Sequence, residues 1–396
     1  MKLKKIMASL LAAAAAITCL TACKTDGNTS GNDSENNASA GGNVLRIGGS
    51  GPLTGDYALY GNGVKNGAQL AIDEINAAGG INGCTLEFKI EDDEAGEEKA
   101  VNAYNVLKDW DMDISIGTVT SGACIAFGAE AAKDNMFILT PSSTAVECIS
   151  GDNAFRVCFS DPNQGVASAD YIADNGLSSK VAIIYQSDNA YSAGIFDKFK
   201  SEASAKGIEI VSEQSFTKDN KTDFSAQLQS IKDSGADLMF LPIYYSEASL
   251  ILQQAKSSGL EIKYFGCDGL DGILNMNNFD ISLAEGVMLL TPFAADATDD
   301  ATVHFVTEYR AKYGDETMNQ FAADAYDAIY IIKAAAEKAG INADMSSSEI
   351  CDALKKAMTE ITVDGVTGTS ITWAADGEPS KAPKAVVITD GSYKAM

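Results

Sequence analysis

From Val44 onward the chain repeats one rhythm: a short apolar run, a turn, an amphipathic stretch, and another apolar run. Val44-Leu45-Arg46-Ile47-Gly48 reads as a buried strand, and Val64, Ala68, Ala71, Ile72 and Ile75 then share one helical face that Gly79-Gly80 bring to a stop. Strand 86–90, helix 97–110, strand 114–117, helix 123–133 and strand 136–139 follow. Past Asp161-Pro162 the rhythm restarts with strand 180–185, helix 193–205, strand 208–211, helix 223–234, strand 237–241, helix 247–257 and strands 264–266 and 286–290. Alternating strands and helices pair as parallel sheets covered on both faces. Two such runs predict an α/β chain of two doubly wound parallel-sheet lobes, with a small-molecule cleft between the carboxyl edges of the two sheets.

The first residues read as an address. Lys2, Lys4 and Lys5 precede a nearly continuous apolar run, Ile6 to Ile17, and the segment ends Leu20-Thr21-Ala22-Cys23. The run is shorter than the ~20 residues that span a bilayer, and its layout is that of an export signal. Leu20-Thr21-Ala22-Cys23 also resembles a bacterial lipobox, which implies that residues 1–22 are a lipoprotein signal peptide and that Cys23 becomes the lipid-bearing first residue. Residues 24–43 are mostly Asn, Ser, Gly, Thr, Asp and Ala with no large apolar group, so 23–43 are expected to be a flexible tether. These features predict an extracytoplasmic protein held to the bacterial cell membrane by lipid.

Charge and composition exclude several chemistries. The formal charge is −26, and removing residues 1–22 takes away three Lys and no acid, leaving 26 bases against 55 acids. Such a surface repels phosphate backbones, so no nucleic-acid partner is expected. His304 is the one histidine, which removes mechanisms that need two imidazoles and argues against a His-built metal site. Gly61-Asn62-Gly63-Val64-Lys65-Asn66-Gly67 is one residue too long for a dinucleotide fingerprint, and Gly48-Gly49-Ser50-Gly51-Pro52 fails the serine-nucleophile pattern at its last position. Asp109, Asp111 and Asp113 open like a calcium loop, but Ile114 and Thr120 stand where Gly and Glu are required. The acidic run Glu91-Asp92-Asp93-Glu94 reads as a solvated loop, and His304 as a surface or half-buried structural residue. No catalysis, no cofactor and no metal are expected. Cys84, Cys124, Cys148, Cys158, Cys267 and Cys351 form no CxxC pair. Export permits disulfides, with Cys148–Cys158 or Cys124–Cys148 favoured by nearness in the chain; otherwise all six are small buried hydrophobes.

An ordered set of segments carries a resemblance. Gly51-Pro52-Leu53-Thr54-Gly55, Tyr60-Gly61, Ala71-Ile72-Asp73-Glu74-Ile75-Asn76, Gly79-Gly80-Ile81-Asn82-Gly83, Gly117-Thr118-Val119-Thr120-Ser121, Thr140-Pro141-Ser142-Ser143-Thr144 and Phe155-Arg156 together resemble the leucine/isoleucine/valine-binding protein family. These are the type 1 solute receptors of ABC transporters, and the resemblance covers nearly all of residues 44–396. It implies three crossovers near Asp161, Pro292 and Ile371, with residues 44–162 and 293–371 in lobe one and 163–292 and 372–396 in lobe two. Helices 302–312 and 321–339 would then complete lobe one.

The resemblance also implies a binding site for an amino acid. Ser121 and Thr144 follow strand ends, where a hydroxyl and free amides suit a carboxylate; a plain helix cap is the alternative use of each. The carbonyl of Ser143 would accept from the ligand's ammonium. In Gly266-Cys267-Asp268-Gly269, Asp268 stands where relatives carry Glu, one methylene longer, so its contact with the ammonium could run through a water, or it could serve as a turn former. Tyr60, Tyr191 and Tyr244 match the family's closing aromatics, with Tyr245 the substitute if the register slips, and Phe321 and Tyr326 fall to the lobe-one core.

The expected protein is therefore a monomeric solute-binding lipoprotein of an ABC importer. It would capture a branched-chain or other small aliphatic amino acid by hinged closure and deliver it to the permease subunits. A ligand-sensing lipoprotein of the same fold, a receptor for an amide, urea or another small polar solute, and an exported hydrolase stay open as alternatives.

Overall fold

A computed structural model describes residues 43–396. The expected signal peptide, Cys23 and nearly all of the tether lie outside the described residues. The first sheet holds β1 (Val44–Gly51), β2 (Thr85–Asp92), β3 (Ile114–Ser115), β4 (Ile138–Thr140) and β5 (Ala154–Arg156), parallel throughout, in the order β2-β1-β3-β4-β5. Leu45 and Ile47 are fully buried in it, as expected of a strand with helices on both faces. Helices α1 (Ala58–Ala77), α2 (Glu97–Asp109) and α3 (Ser121–Lys133) make its crossovers.

The second sheet begins after α4 (Asp161–Asp174) and contains β6 (Lys180–Gln186), β7 (Glu209–Phe216), β8 (Leu238–Leu241), β9 (Lys263–Gly266) and β10 (Met288–Thr291). Helices α5 (Ala190–Ala205), α6 (Ser225–Ser234) and α7 (Tyr245–Ser257) connect them. The chain then returns to the first lobe through α8 (Asp300–Tyr313), α9 (Gln320–Ala339) and α10 (Ser347–Met358). It ends as a hairpin, β11 (Lys384–Thr389) and β12 (Ser392–Ala395), added antiparallel to the edge of β10. Asp390 and Gly391, both with positive φ, turn that hairpin. Two alternating lobes of this kind are what the sequence pattern predicts. Residues assigned to lobe two from 372 onward divide: Trp373 donates to the Arg156 carbonyl at 2.8 Å and Lys381 pairs with Asp324 at 2.6 Å, so this stretch lies against lobe one before the hairpin reaches sheet two.

Sequence reading missed α4 and β5. The buried face of α4 is Gln164, Gly165, Ser168, Ala169 and Ile172, too polar and small to show a helical apolar period. The acidic run at the end of β2 needs correction: Glu91 and Asp92 belong to the strand, and Asp93 is fully buried, not solvated, and accepts from Ser50 Oγ at 2.7 Å, while Asp92 accepts from Leu53 N and Thr54 Oγ1. Burial pushes the Asp93 carboxyl up to about 6 against the Ser50 hydrogen bond. The six described cysteines are all free and buried, so neither expected disulfide is present. His304 is half exposed, with Nε2 3.0 Å from Glu74.

The glycine-rich stretch of α1 has a packing explanation. A Cβ on Gly67 would stand 2.0 Å from the Ala322 carbonyl oxygen on α9, and one on Gly61 would stand 2.2 Å from the Pro52 carbonyl oxygen. One on Gly63 would stand 2.7 Å from Asn319 Oδ1. The glycines let α1 lie directly on α9 and on the β1–α1 loop, which fixes where Tyr57 and Tyr60 enter the cleft.

Candidate functional site

Carboxyl-terminal strand ends from both sheets meet at one small cavity, lined by Tyr60, Val119, Thr120, Ser121, Ser142, Thr144, Tyr191, Tyr244, Asp268, Gly269 and Phe321. Lobe one supplies the segments after β1, β3 and β4 and the start of α9; lobe two supplies those after β6, β8 and β9. Little of the cavity's space is wide enough to hold even a water molecule, and Gln320 of lobe one donates to the Asp268 carbonyl of lobe two at 3.1 Å, so the two lobes are closed on each other.

Backbone turns aim these residues. Gly117, two residues past β3, has φ +65°, a conformation open to glycine, and its carbonyl accepts from Ser50 N at 2.9 Å. The chain then runs through Thr118 to Thr120, the residue before α3. Ser121 is the first residue of α3, so its N–H and the next two project from a helix start toward the cavity side. Ser121 Oγ accepts from Ala145 N at 3.2 Å and does not cap its own helix. Arg156, fully buried, holds the neighbouring loop by its carbonyls: Nη1 donates to Ser143 O at 3.3 Å and to Thr144 O, and Nη2 to Ala145 O at 2.9 Å.

That geometry corrects one assignment. The Ser143 carbonyl, expected to receive a ligand ammonium, faces Arg156 and also accepts from Cys158 Sγ at 3.5 Å, and Ser143 is not among the lining residues. The other sequence-predicted residues, Ser121, Thr144, Tyr60, Tyr191, Tyr244 and Asp268, come together on the cavity. Tyr245 does not line it; its hydroxyl accepts from Leu59 N at 3.3 Å. Phe321, read as core, forms part of the wall, its ring 4.6 Å from that of Tyr60, while Tyr326 donates to Glu74 at 2.6 Å away from the cavity.

Lobe two brings the acid. Asp268 opens a single 3-10 turn after β9, and its Oδ1 accepts from the Tyr191 hydroxyl at 2.8 Å. Gln164 Oε1 accepts from its N–H at 3.0 Å, and Gln320 of lobe one donates to its carbonyl at 3.1 Å. Burial pushes the Asp268 carboxyl up to about 7, opposed by the hydrogen bond from Tyr191. Tyr191 stacks on Tyr244 at 4.8 Å, and Tyr244 meets Tyr60 edge-on at 5.7 Å, giving a cage of ring faces.

Several buried polar atoms here have no partner among the described residues: Thr120 Oγ1, Thr144 Oγ1, Gln164 Nε2 and both carboxylate oxygens of Asp161. Sequence reading missed Asp161, Thr120, Ser142 and Gln164. Asp161 N donates to Thr144 O at 2.9 Å, which sets its side chain beside the site. Burial pushes its carboxyl well above the usual range, reinforced by the charge of Asp268. Native proteins pair almost all such groups. Their gathering around one cavity marks a place built for a polar molecule. A wider groove of about 560 Å³ on lobe one, lined by residues including His304, Tyr326, Tyr330 and Lys333, contains none of them.

A family model described as periplasmic binding protein matches residues 44–392. The chain belongs to that family. This binding protein is 31% identical over 313 residues to Leu/Ile/Val-binding protein homolog 3 of Brucella melitensis, covering 78% of this chain and 83% of the relative. It is 28% identical over 319 residues to the leucine-, isoleucine-, valine-, threonine- and alanine-binding protein of Pseudomonas aeruginosa, covering 80% and 83%. Among solved structures it resembles the branched-chain amino acid transporter substrate binding protein LivJ of Streptococcus pneumoniae in complex with isoleucine. The TM-score is 0.80 at 29% identity, over 89% of this chain and 98% of that one. The binding protein thus has the type 1 architecture that the resemblance implied.

Proposed function

We propose that this protein is the extracytoplasmic solute receptor of an ABC importer and captures a small amino acid, branched-chain or otherwise aliphatic, without chemical turnover. One observation carries the reading: a buried carboxylate from lobe two, Asp268, faces the Ser121 and Thr144 hydroxyls and helix-start amides of lobe one across a cavity walled by Tyr60, Tyr191, Tyr244 and Phe321. A zwitterion fits that division of charge. Its carboxylate meets N–H and O–H donors, its ammonium meets Asp268, and its apolar side chain meets ring faces. The relatives' names, which specify leucine, isoleucine, valine, threonine and alanine, support the same class.

In this reading the cleft opens to admit the solute, closes over it and presents the closed form to the permease, which the narrowness of the closed cavity supports. No helix of the described residues is long and apolar enough to cross a membrane. Cys23 is the lipid attachment point in this reading, and Cys23→Ala should release the protein into the medium. The protein acts as a monomer, which size-exclusion chromatography with light scattering checks. Isothermal titration against the twenty amino acids tests the central claim: saturable heat with at least one small aliphatic amino acid is expected, and silence from all twenty would remove it.

A further inference from the structure

Closure also joins four groups at the mouth of the cleft. Lys221 lies between β7 and α6 of lobe two, and Glu247 lies in the first turn of α7. Asp56 and Tyr57 lie between β1 and α1 of lobe one. Lys221 Nζ is 2.7 Å from Asp56 Oδ2 and 3.1 Å from Glu247 Oε1. It also donates to the Tyr57 hydroxyl at 3.2 Å and stands 5.0 Å from the centre of that ring. The Tyr57 hydroxyl in turn donates to Glu247 Oε1 at 2.8 Å. Neither Lys221, Asp56, Tyr57 nor Glu247 lines the ligand cavity.

We propose that Lys221, Asp56, Tyr57 and Glu247 form an ionic latch that holds the lobes shut and sets how long a captured ligand stays. The proposal rests on the reading that the cleft captures a solute. Lys221 and Glu247 both belong to lobe two, so their pair outlasts opening and keeps the ammonium in place. What forms only on closure is the Lys221–Asp56 pair, the Lys221–Tyr57 contact and the Tyr57–Glu247 hydrogen bond. The Glu247 side chain is 2% exposed in the closed form, so closing over it requires that its oxygens be met, and Tyr57 brings a donor with it. Burial, then the charge of Glu247, raises the Tyr57 hydroxyl well above its ordinary range, which keeps it a donor. Apparent affinity scales with the population of the closed, competent form, and a latch that contributes after encounter acts on the rate of escape.

Stopped-flow and titration measurements on the wild type, Lys221→Met and Asp56→Asn test this, using whichever amino acid the wild type binds. Lys221→Met should raise koff about tenfold and leave kon within about twofold, as expected when one partner of a partly buried charge pair is truncated. Asp56 is 59% exposed, so Asp56→Asn reports on the latch even if Lys221→Met does not fold, and it should raise koff about threefold, an exposed partner contributing less. An unchanged koff in either folded variant, or an effect confined to kon, overturns the latch. A wild type that binds none of the twenty amino acids fails the proposed function itself, a separate outcome read before any variant is made.

Discussion

Asp268, the proposed partner of the ligand's ammonium, carries a burial cost that either a proton or a cation relieves. Burial raises its carboxyl from 3.8 to about 7, even with the Tyr191 hydroxyl donating to it. Near neutral pH roughly half of the free protein holds this group protonated, and only the ionised half can meet an ammonium. Apparent affinity should therefore be near its limit at pH 8, weaker by roughly tenfold at pH 6, and by roughly a hundredfold at pH 5. Binding at pH 7 should release about half a proton, seen as a dependence of the heat on the buffer's ionisation enthalpy. Titrations from pH 5 to 8 in two buffers check both.

The sign for stability runs the other way. The folded carboxyl is raised above its unfolded value, so the native state takes up the proton first. This group's contribution is fully present below about pH 4 and is lost as the pH rises to about 7, a swing on the order of 4 kcal/mol. Asp268→Asn keeps the shape and the acceptor for Tyr191 but removes the charge. At pH 8 it should raise the Tm of the ligand-free protein, weaken binding by about 3 kcal/mol and abolish the pH slope. A flat affinity profile in the wild type, or a variant that is destabilised at pH 8 yet keeps its ligand-induced Tm shift, would refute the reasoning.

Three further outcomes are expected. Thr144 Oγ1 has no partner among the described residues, so Thr144→Ala should change unfolding free energy by less than about 0.5 kcal/mol yet weaken ligand binding by about 1 kcal/mol; a stability loss with unchanged affinity would make Thr144 a cap instead. Gly67→Ala drives a methyl into the Ala322 carbonyl and should cost about 2 kcal/mol or more by denaturant unfolding, with an unperturbed Cm counting against the helix contact. In residues 24–396, a thiol reagent should find no reactive cysteine in the native protein and all six after unreduced denaturation; a shortfall after denaturation would mean that a disulfide forms.

What the sequence exposes and what it hides follow from the range of the forces involved. Parallel strands covered on both faces write their burial as continuous apolar runs, so both lobes are legible, and with them the strand ends carrying Ser121, Thr144, Tyr191, Tyr244 and Asp268. Orientation is not local in the same way. The direction of the Ser143 carbonyl depends on a guanidinium thirteen residues on, and the burial of Asp161 depends on Thr144 and on Gly194 of α5, where a Cβ would stand 3.3 Å from the Asp161 side chain. An acid at a helix start reads in the sequence as a routine partner of the helix dipole; only the fold strips it of donors.

The glycines of α1 show the same limit from the other side. A loop that cradles phosphate and a helix that presses on another helix both ask for missing Cβ atoms, so Gly61, Gly63 and Gly67 look alike in either use until their neighbours are known. Their neighbours are Pro52, Asn319 and Ala322. That contact ties the helix start bearing Tyr60, and the loop bearing Tyr57 before it, to the helix start bearing Phe321, so the lobe-one wall of the cleft is packed as one unit. A hinge that closes on a rigid wall meets the ligand at fixed distances, which is what discrimination by a single methylene requires.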